Sequence, residues 1–272
     1  MGRASNRLVP VALPLLALVV GIVACMGGAD RHVAAALGAL AGIVVLVLML
    51  AWAWRADTVI LDAVSAYALA QARAPELFDE VAALAKLYRI PVPAIACSRT
   101  AVPLAFVVGR GVRHATLCVS DGLLQTVDSR LLRAVVAQQL AHLVSRPFLA
   151  RSVAASWSCG LLALTDGHWV LSRLNGVGVA VRALGCSRAQ QLRADADAGR
   201  HLGDPMLVAA ALEATSDGVR DDRLAPAGRL VAASPLMTVS PFGDDVGATA
   251  LARQPDTGLR VLRLEALAGH RR

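Results

Sequence analysis

The stretch Ala137-Gln138-Gln139-Leu140-Ala141-His142 comes nearest to chemistry by residue type and spacing. Its frame is that of His-Glu-x-x-His, in which two imidazoles four residues apart share one helix face and bind zinc. The Glu beside the first takes the proton of the metal-bound water. Only His142 keeps its type here. Gln138 stands at the first imidazole position and Gln139 at the position of the base. A carboxamide oxygen is a neutral, weak donor that seldom holds zinc. Gln139 cannot accept a proton near neutral pH, and losing a general base alone costs about 10²- to 10⁴-fold in rate. Losing the metal removes the activated water and the Lewis acid as well.

The elements that must position these residues can be read outward from them. Asp128 caps a helix that runs to about Ser145, where Pro147 breaks it. Upstream, Asp57 caps a helical region with Leu61, Val64, Ala68 and Leu69 at helical spacing. Pro75 opens a second helix with Leu77, Val81, Leu84 and Leu87 as its apolar face; it stops near Arg89, before Ile90-Pro91-Val92-Pro93. Ala94 to Cys97, Leu104 to Val108 and Ala115 to Val119 read as short strands, with Gly109-Arg110-Gly111 as a hairpin turn. Asp121-Gly122 leads into a short helical piece. Ser187 to about Ala214 reads as one helix, Ser216 to Gly247 as mostly irregular chain, and Thr257 to Ala268 as a final helix.

The chain has 272 residues, of which 56% are hydrophobic, and a formal net charge of +7. Leu8 to Cys25 and Val33 to Trp54 are apolar runs near the ~20 residues that cross a bilayer. Together they read as a transmembrane hairpin. Arg3, Arg7 and Arg55 flank it, so both ends face the cytoplasm. The first run also fits a secretory signal with a lipoprotein-type cleavage at Cys25. Residues 148–186 are apolar but interrupted, which fits either a second membrane hairpin or a core segment. The basic balance fits this membrane reading. No basic run is interleaved with aromatics, which argues against nucleic acid. The five cysteines, at 25, 97, 118, 159 and 186, form no C-x-x-C pair and suggest no disulfide framework or cysteine metal site.

Taken in order, these segments resemble the HtpX-like membrane zinc metallopeptidases, relatives of the CAAX prenyl proteases. Leu87 to Pro93 looks like that family's K-x-x-I-P-x-P. Pro103-Leu104-Ala105-Phe106, with Gly109 and His114-Ala115, looks like its P-N-A-F strand region. Ser120-Asp121-Gly122-Leu123-Leu124 is similar to T-x-G-L-L, and Ala137 to Leu143 takes the place of A-H-E-x-x-H. Ser187-Arg188 to Ala194-Asp195 is similar to S-R-x-x-E-x-x-A-D. Pro255 with Arg260-Val261 and Arg263-Leu264 resembles the carboxy-terminal T-H-P … R-I-x-R-L. The departures fall on the chemistry. The resemblance implies a third zinc ligand at the Glu of E-x-x-A-D, and that position is Gln191. The His of T-H-P is replaced by Gln254.

The resemblance implies a mainly α, zincin-like domain with a small β-sheet, plus transmembrane helices, in an integral membrane protein. Residues 1–55 form the hairpin, 56–147 and 187–272 the two parts of the domain, and 148–186 the insertion between them. The expected location is the cell (inner) membrane, multi-pass, with the main domain cytoplasmic. The family's cofactor is zinc, but Gln138, His142 and Gln191 are degenerate as ligands and Gln139 as base, so neither metal nor catalysis is expected. Asp195, Gln254 and Arg260 complete the vestigial site. His142 reads as a helix histidine hydrogen-bonded to Gln138 or Asp195. His114, His168 and His201 are not placed to rebuild a site, and no Gly-x-Ser-x-Gly elbow offers a serine mechanism. The strand residues Leu104, Ala105, Phe106, Val107 and Val108 form a candidate edge for peptide addition; the alternative is an edge covered by the chain's own loops. The expected function is that of an inactive homologue, an adaptor, regulator or scaffold for a protein partner or unfolded polypeptide in membrane-protein quality control. The alternative is a divergent active zinc endopeptidase with substitute ligands.

Overall fold

A computed structural model of the chain describes residues 31–165, 187–222, 233–242 and 255–269. The elements are α1 (Arg31–Trp54), α2 (Ala56–Ala63), β1 (Ala66–Ala68), α3 (Pro75–Tyr88), β2 (Ala94–Ser98), β3 (Ala105–Gly111), β4 (His114–Ser120), α4 (Asp121–Thr126), α5 (Ser129–Val144), α6 (Phe148–Thr165), α7 (Arg188–Leu202), α8 (Pro205–Asp221) and α9 (Thr257–Gly269). The architecture is mainly helical with one small mixed sheet, as the sequence predicts.

The sheet order is β1-β2-β4-β3. β2 and β4 are parallel, while β1 on β2 and β3 on β4 are antiparallel. Strand alternation sends successive side chains to opposite faces. Ala105, Val107, Leu117 and Val119 face one core, which they share with Leu84 of α3 and Leu140 of α5. Leu104, Phe106, Val108 and Cys118 face a second core with Ile60 of α2, Ala155 and Cys159 of α6, and Leu236 and Met237. The sheet is therefore covered on both faces, and all three strand-like segments fall where the sequence puts them.

α5 is the central helix: from Ala134 to Leu143 every residue is buried. It packs against α7, α3, α8 and β3. Its cap is the expected one, with the Asp128 carboxylate accepting from the Leu131 N–H at 2.7 Å. Ser187 closes a capping box with Gln190 at the start of α7. Ser120 is buried and ties three pieces together. Its hydroxyl accepts from the amides of Leu123 and Leu104 and donates to the carbonyl of Val102.

Several expectations are corrected. The first helix starts at Ala56 with Arg55, not Asp57, at its N-cap, and Asp57 lies within its first turn; it ends at Ala63, because Ser65 turns the chain (φ 51) and Ala68 then lies in β1. Tyr88, not Leu87, completes the α3 stripe; Leu87 is exposed. Gly109 to Gly111 is a bulged end of β3 rather than the turn, which falls at Val112 and Arg113. A Cβ on Gly109 (φ +157) would lie 2.1 Å from the His114 carbonyl oxygen, so glycine is required there. Ser187 to Ala214 is two helices, because Gly203 ends α7 in the left-handed region and Pro205 opens α8, which runs on to Asp221.

The first apolar run, residues 166–186 of the insertion with His168, and Gln254 lie outside the described residues. The second run coincides with α1, whose 24 residues measure about 36 Å at ~1.5 Å per residue. Only part of its side chains is described, and counted over the described residues no helix is long and apolar enough to cross a membrane. The insertion begins as a core helix. Arg151, Ser152, Ser156 and Ser158 of α6 are buried beside Ala154, Ala155 and Cys159.

Candidate functional site

The polar centre of the molecule is built from α5, α7, α9 and the short segment from Ala233 to Phe242. Gln138, Gln139 and His142 project from α5, Gln191 and Asp195 from α7, and Arg260 from α9; all six are buried. Spacing accounts for this. Gln138 and His142 are one helical turn apart on α5, as Gln191 and Asp195 are on α7, and the two helices pack face to face.

One directional hydrogen-bond chain joins four of them, Arg260, Asp195, Gln138 and Gln139. Arg260 grips Asp195 with two donors, Nε to Oδ2 at 2.7 Å and Nη2 to Oδ1 at 2.8 Å. Gln138 Nε2 donates to the same Oδ1 at 3.0 Å. Gln139 Nε2 donates to Gln138 Oε1 at 3.0 Å and to Thr238 Oγ1 at 2.9 Å. Thr238 Oγ1 in turn donates to the Ala105 carbonyl at 3.2 Å. The carboxylate acts only as an acceptor, which fixes the orientation of each amide along the chain. Arg260 Nη1 also donates to the Thr238 carbonyl at 2.6 Å. Gln191 Nε2 and Arg151 Nη2 both donate to the Pro235 carbonyl, at 3.1 and 3.3 Å.

His142 is not bonded to Gln138 or Asp195, contrary to the expectation, because these two pair with each other. Its Nδ1 has no hydrogen-bond partner. Burial holds the His142 pKa well below its ordinary value, and the nearby guanidinium groups of Arg151 and Arg260 depress it further. His142 is therefore a neutral imidazole at neutral pH.

The fit of this donor set to zinc can be tested directly. Three buried acceptors, Gln139 Oε1, Gln191 Oε1 and His142 Nδ1, have no hydrogen-bond partner, which is the one feature that would suit a cation. The remainder opposes it. Both oxygens of Asp195 are engaged by Arg260, two of the three free acceptors are neutral amides, and two arginines sit close enough to disfavour even a protonated imidazole. Among the described residues no group of three or more His, Cys, Asp or Glu could hold a metal. These residues do not fit a zinc site.

β3 is an edge strand, but its outer side is engaged by its own chain. Leu104 to Val108 are all buried. The Thr238 N–H donates to the Ala105 carbonyl at 2.9 Å, and the Gly109 N–H reaches Ser152 Oγ at 3.3 Å. His114 is exposed at the start of β4. His201 stacks on Tyr88 with ring centroids 4.3 Å apart, far along α7 from Gln191. Sequence reasoning missed Arg151, Pro235 and Thr238. Arg151 left a signal, a lone charge opening an apolar stretch; Pro235 and Thr238 left none.

Comparison with known proteins agrees with the resemblance. The profile described as Peptidase family M48 matches residues 68–267. The chain is 33% identical over 232 residues to a protein named Protease HtpX homolog from Pseudarthrobacter chlorophenolicus, covering 79% of this chain and 80% of that one. It is 31% identical to the protein of that name from Kineococcus radiotolerans, over 80% of this chain and 82% of the other. With the one from Pyrococcus abyssi it shares 28% identity over 93% and 92%. No solved structure matches. With a profile covering most of the domain and relatives aligned over four-fifths of its length, the chain belongs to peptidase family M48, among the HtpX-like proteins.

Proposed function

We propose that this chain is a catalytically inactive HtpX-like protein, tethered to the cell membrane with its main domain in the cytoplasm. It acts as an adaptor, regulator or scaffold for membrane-protein quality control or a membrane complex. The observation that carries the reading is that the glutamines at two ligand positions and at the base position spend their amide donors within the protein. Gln138 donates to Asp195, Gln139 to Gln138 and Thr238, and Gln191 to Pro235. The membrane tether is supported by the apolar runs 8–25 and 33–54 with their arginine flanks. It is supported too by the exposure of Val33, Leu40, Ile43 and Val47 along α1.

The test is elemental mass spectrometry on detergent-purified full-length protein, with no metal added and no metal-binding tag. The expected result is no stoichiometric zinc. About one zinc per chain, with proteolysis lost on His142→Ala, would falsify the proposal. A second reading, a divergent zinc endopeptidase with substitute ligands, draws on the three unpartnered acceptors, Gln139 Oε1, Gln191 Oε1 and His142 Nδ1. It predicts chelator-sensitive cleavage of unfolded membrane protein.

A further inference from the structure

We infer that Gln139 and Gln191 are a latch: their side-chain amides hold the chain's own segment 233–242 across the edge of β3, in the place where an extended polypeptide would add. The inference rests on the reading of the protein as a polypeptide-binding relative without catalysis, and it assigns that binding edge a self-inhibited state.

The segment is held at the edge by one main-chain bond and by several side chains. Its Thr238 N–H donates to the Ala105 carbonyl of the edge strand at 2.9 Å, the main-chain bond of strand addition. Its carbonyls are read by side chains: Pro235 O by Gln191 and Arg151, and Thr238 O by Arg260. Gln139 holds the Thr238 hydroxyl. The segment opens on a 3-10 turn, Ser234–Leu236, and the backbone becomes extended at Met237 (φ −74, ψ 157), the residue before Thr238. Ala233, Ser234, Pro235, Leu236, Met237, Thr238, Val239 and Phe242 are all buried, so the segment fills the place rather than lying over it.

The donors matter because they are amides. A carboxylate at 139 or 191 has no hydrogen to give at neutral pH. It would set one acceptor against another at Pro235 O, 3.1 Å from the present Gln191 nitrogen. The two glutamines thus supply donors that the corresponding carboxylates lack, and both donate to this one segment.

Hydrogen exchange on the full-length protein in detergent tests the latch, reading the Thr238 amide against the β4 amides as internal reference. Gln139→Ala with Gln191→Leu removes both donors. It is expected to lower protection at Thr238 about five- to thirtyfold with β4 unchanged. Thr238→Val reaches the same contact from the segment side and leaves α5 and α7 intact. Combined with Gln139→Ala it should add little to either change alone. Fluorescein-labelled casein, as an unfolded polypeptide, should bind the released variants at least fivefold more tightly than the parent. Three results would overturn the latch: protection at Thr238 within twofold of the parent, loss of protection shared equally by β4, or local release with no gain in casein binding. Zinc in the parent protein would sink the inactive reading and leave the exchange result standing, so the two failures are distinguishable.

Discussion

Replacing Arg260 by Met strikes a buried ion pair at the heart of the polar centre. The guanidinium is 1% exposed and makes three bonds, two to Asp195 and one to the Thr238 carbonyl, all between 2.6 and 2.8 Å. Without it, Asp195 is left buried with the Gln138 amide at 3.0 Å and without its paired guanidinium. Breaking a buried pair from one side costs about 3–5 kcal/mol, because the other charge stays desolvated. A typical domain has ~5–15 kcal/mol in all, so Arg260→Met should lower the denaturant midpoint by about a fifth or more. Removing both charges, as Asp195→Leu with Arg260→Met, leaves no stranded ion and should be less damaging than the single change. Urea unfolding of the full-length protein in a mild detergent, followed by tryptophan fluorescence, measures both. A single variant that costs under about 1 kcal/mol, or a double variant worse than the single, refutes the assignment of this pair as an anchor of the polar centre.

Acid should destabilise the fold through His142. Its folded-state pKa is depressed, so below the unfolded value of about 6.5 the unfolded chain binds a proton that the folded chain refuses. Stability should then fall by up to ~1.4 kcal/mol per pH unit on acidification, and be insensitive to this group above pH 7. Urea midpoints at pH 7.5, 6.5 and 5.5 read the slope, and His142→Gln should remove this part of it; an unchanged slope in the variant rejects the cause. Gly122→Ala puts a Cβ 1.7 Å from the Ala101 carbonyl oxygen. Backbone must shift to admit it, so thermal unfolding should show a loss above about 2 kcal/mol, against a near-neutral Gly258→Ala, where only the Asp256 side chain stands close. Gln138→His, Gln139→Glu and Gln191→Glu together restore the ligand and base types. That triple variant should gain chelator-removable zinc near one per chain; zinc-free protein would mean the helical frame has been misread.

Helix and strand existence was legible because periodicity and caps are local. Asp128, Ser187 and Pro75 announce three helix starts, and each start is found. The failures are also local in origin but tertiary in cause. Ser65 takes a left-handed conformation that no turn residue signals, and Leu87 fits an apolar stripe in sequence while Tyr88 takes the buried place, donating to the Ala137 carbonyl of α5. At the site, the motif frame found Gln138, Gln139, His142, Gln191, Asp195 and Arg260, since α5, α7 and α9 carry them at fixed spacing. It could not find Thr238 or Pro235. Their part is played by a backbone carbonyl, an amide N–H and a common hydroxyl, brought to β3 from 133 residues away in sequence, and such contacts leave no compositional trace.

The chemistry of replacement at the site is selective in a way that volume alone does not explain. A metal site stripped of its ligands could be filled with apolar side chains, which often costs nothing when a buried polar set is replaced whole. Here the residues at these positions are carboxamides, close in size to Glu and His, and each offers a hydrogen-bond donor where Glu or a metal-binding His would offer an acceptor. The consequence is that positions 138, 139 and 191 are not independent. Gln138 Nε2 needs the Asp195 carboxylate, Gln139 Nε2 needs Gln138 Oε1 and Thr238 Oγ1, and Gln191 Nε2 needs Pro235 O. Reverting position 191 alone to Glu would bury a carboxylate against a carbonyl. Reverting position 139 alone would press one against both Gln138 Oε1 and the Thr238 hydroxyl, whose proton already goes to Ala105. Either single reversion should therefore destabilise by more than about 2 kcal/mol. In the triple variant, added zinc should recover part of that loss, because a divalent cation supplies the positive partner that the lost amide hydrogens had been providing. A triple variant whose urea midpoint does not rise with zinc, while both single variants are as stable as the parent, would show that the three positions are unlinked.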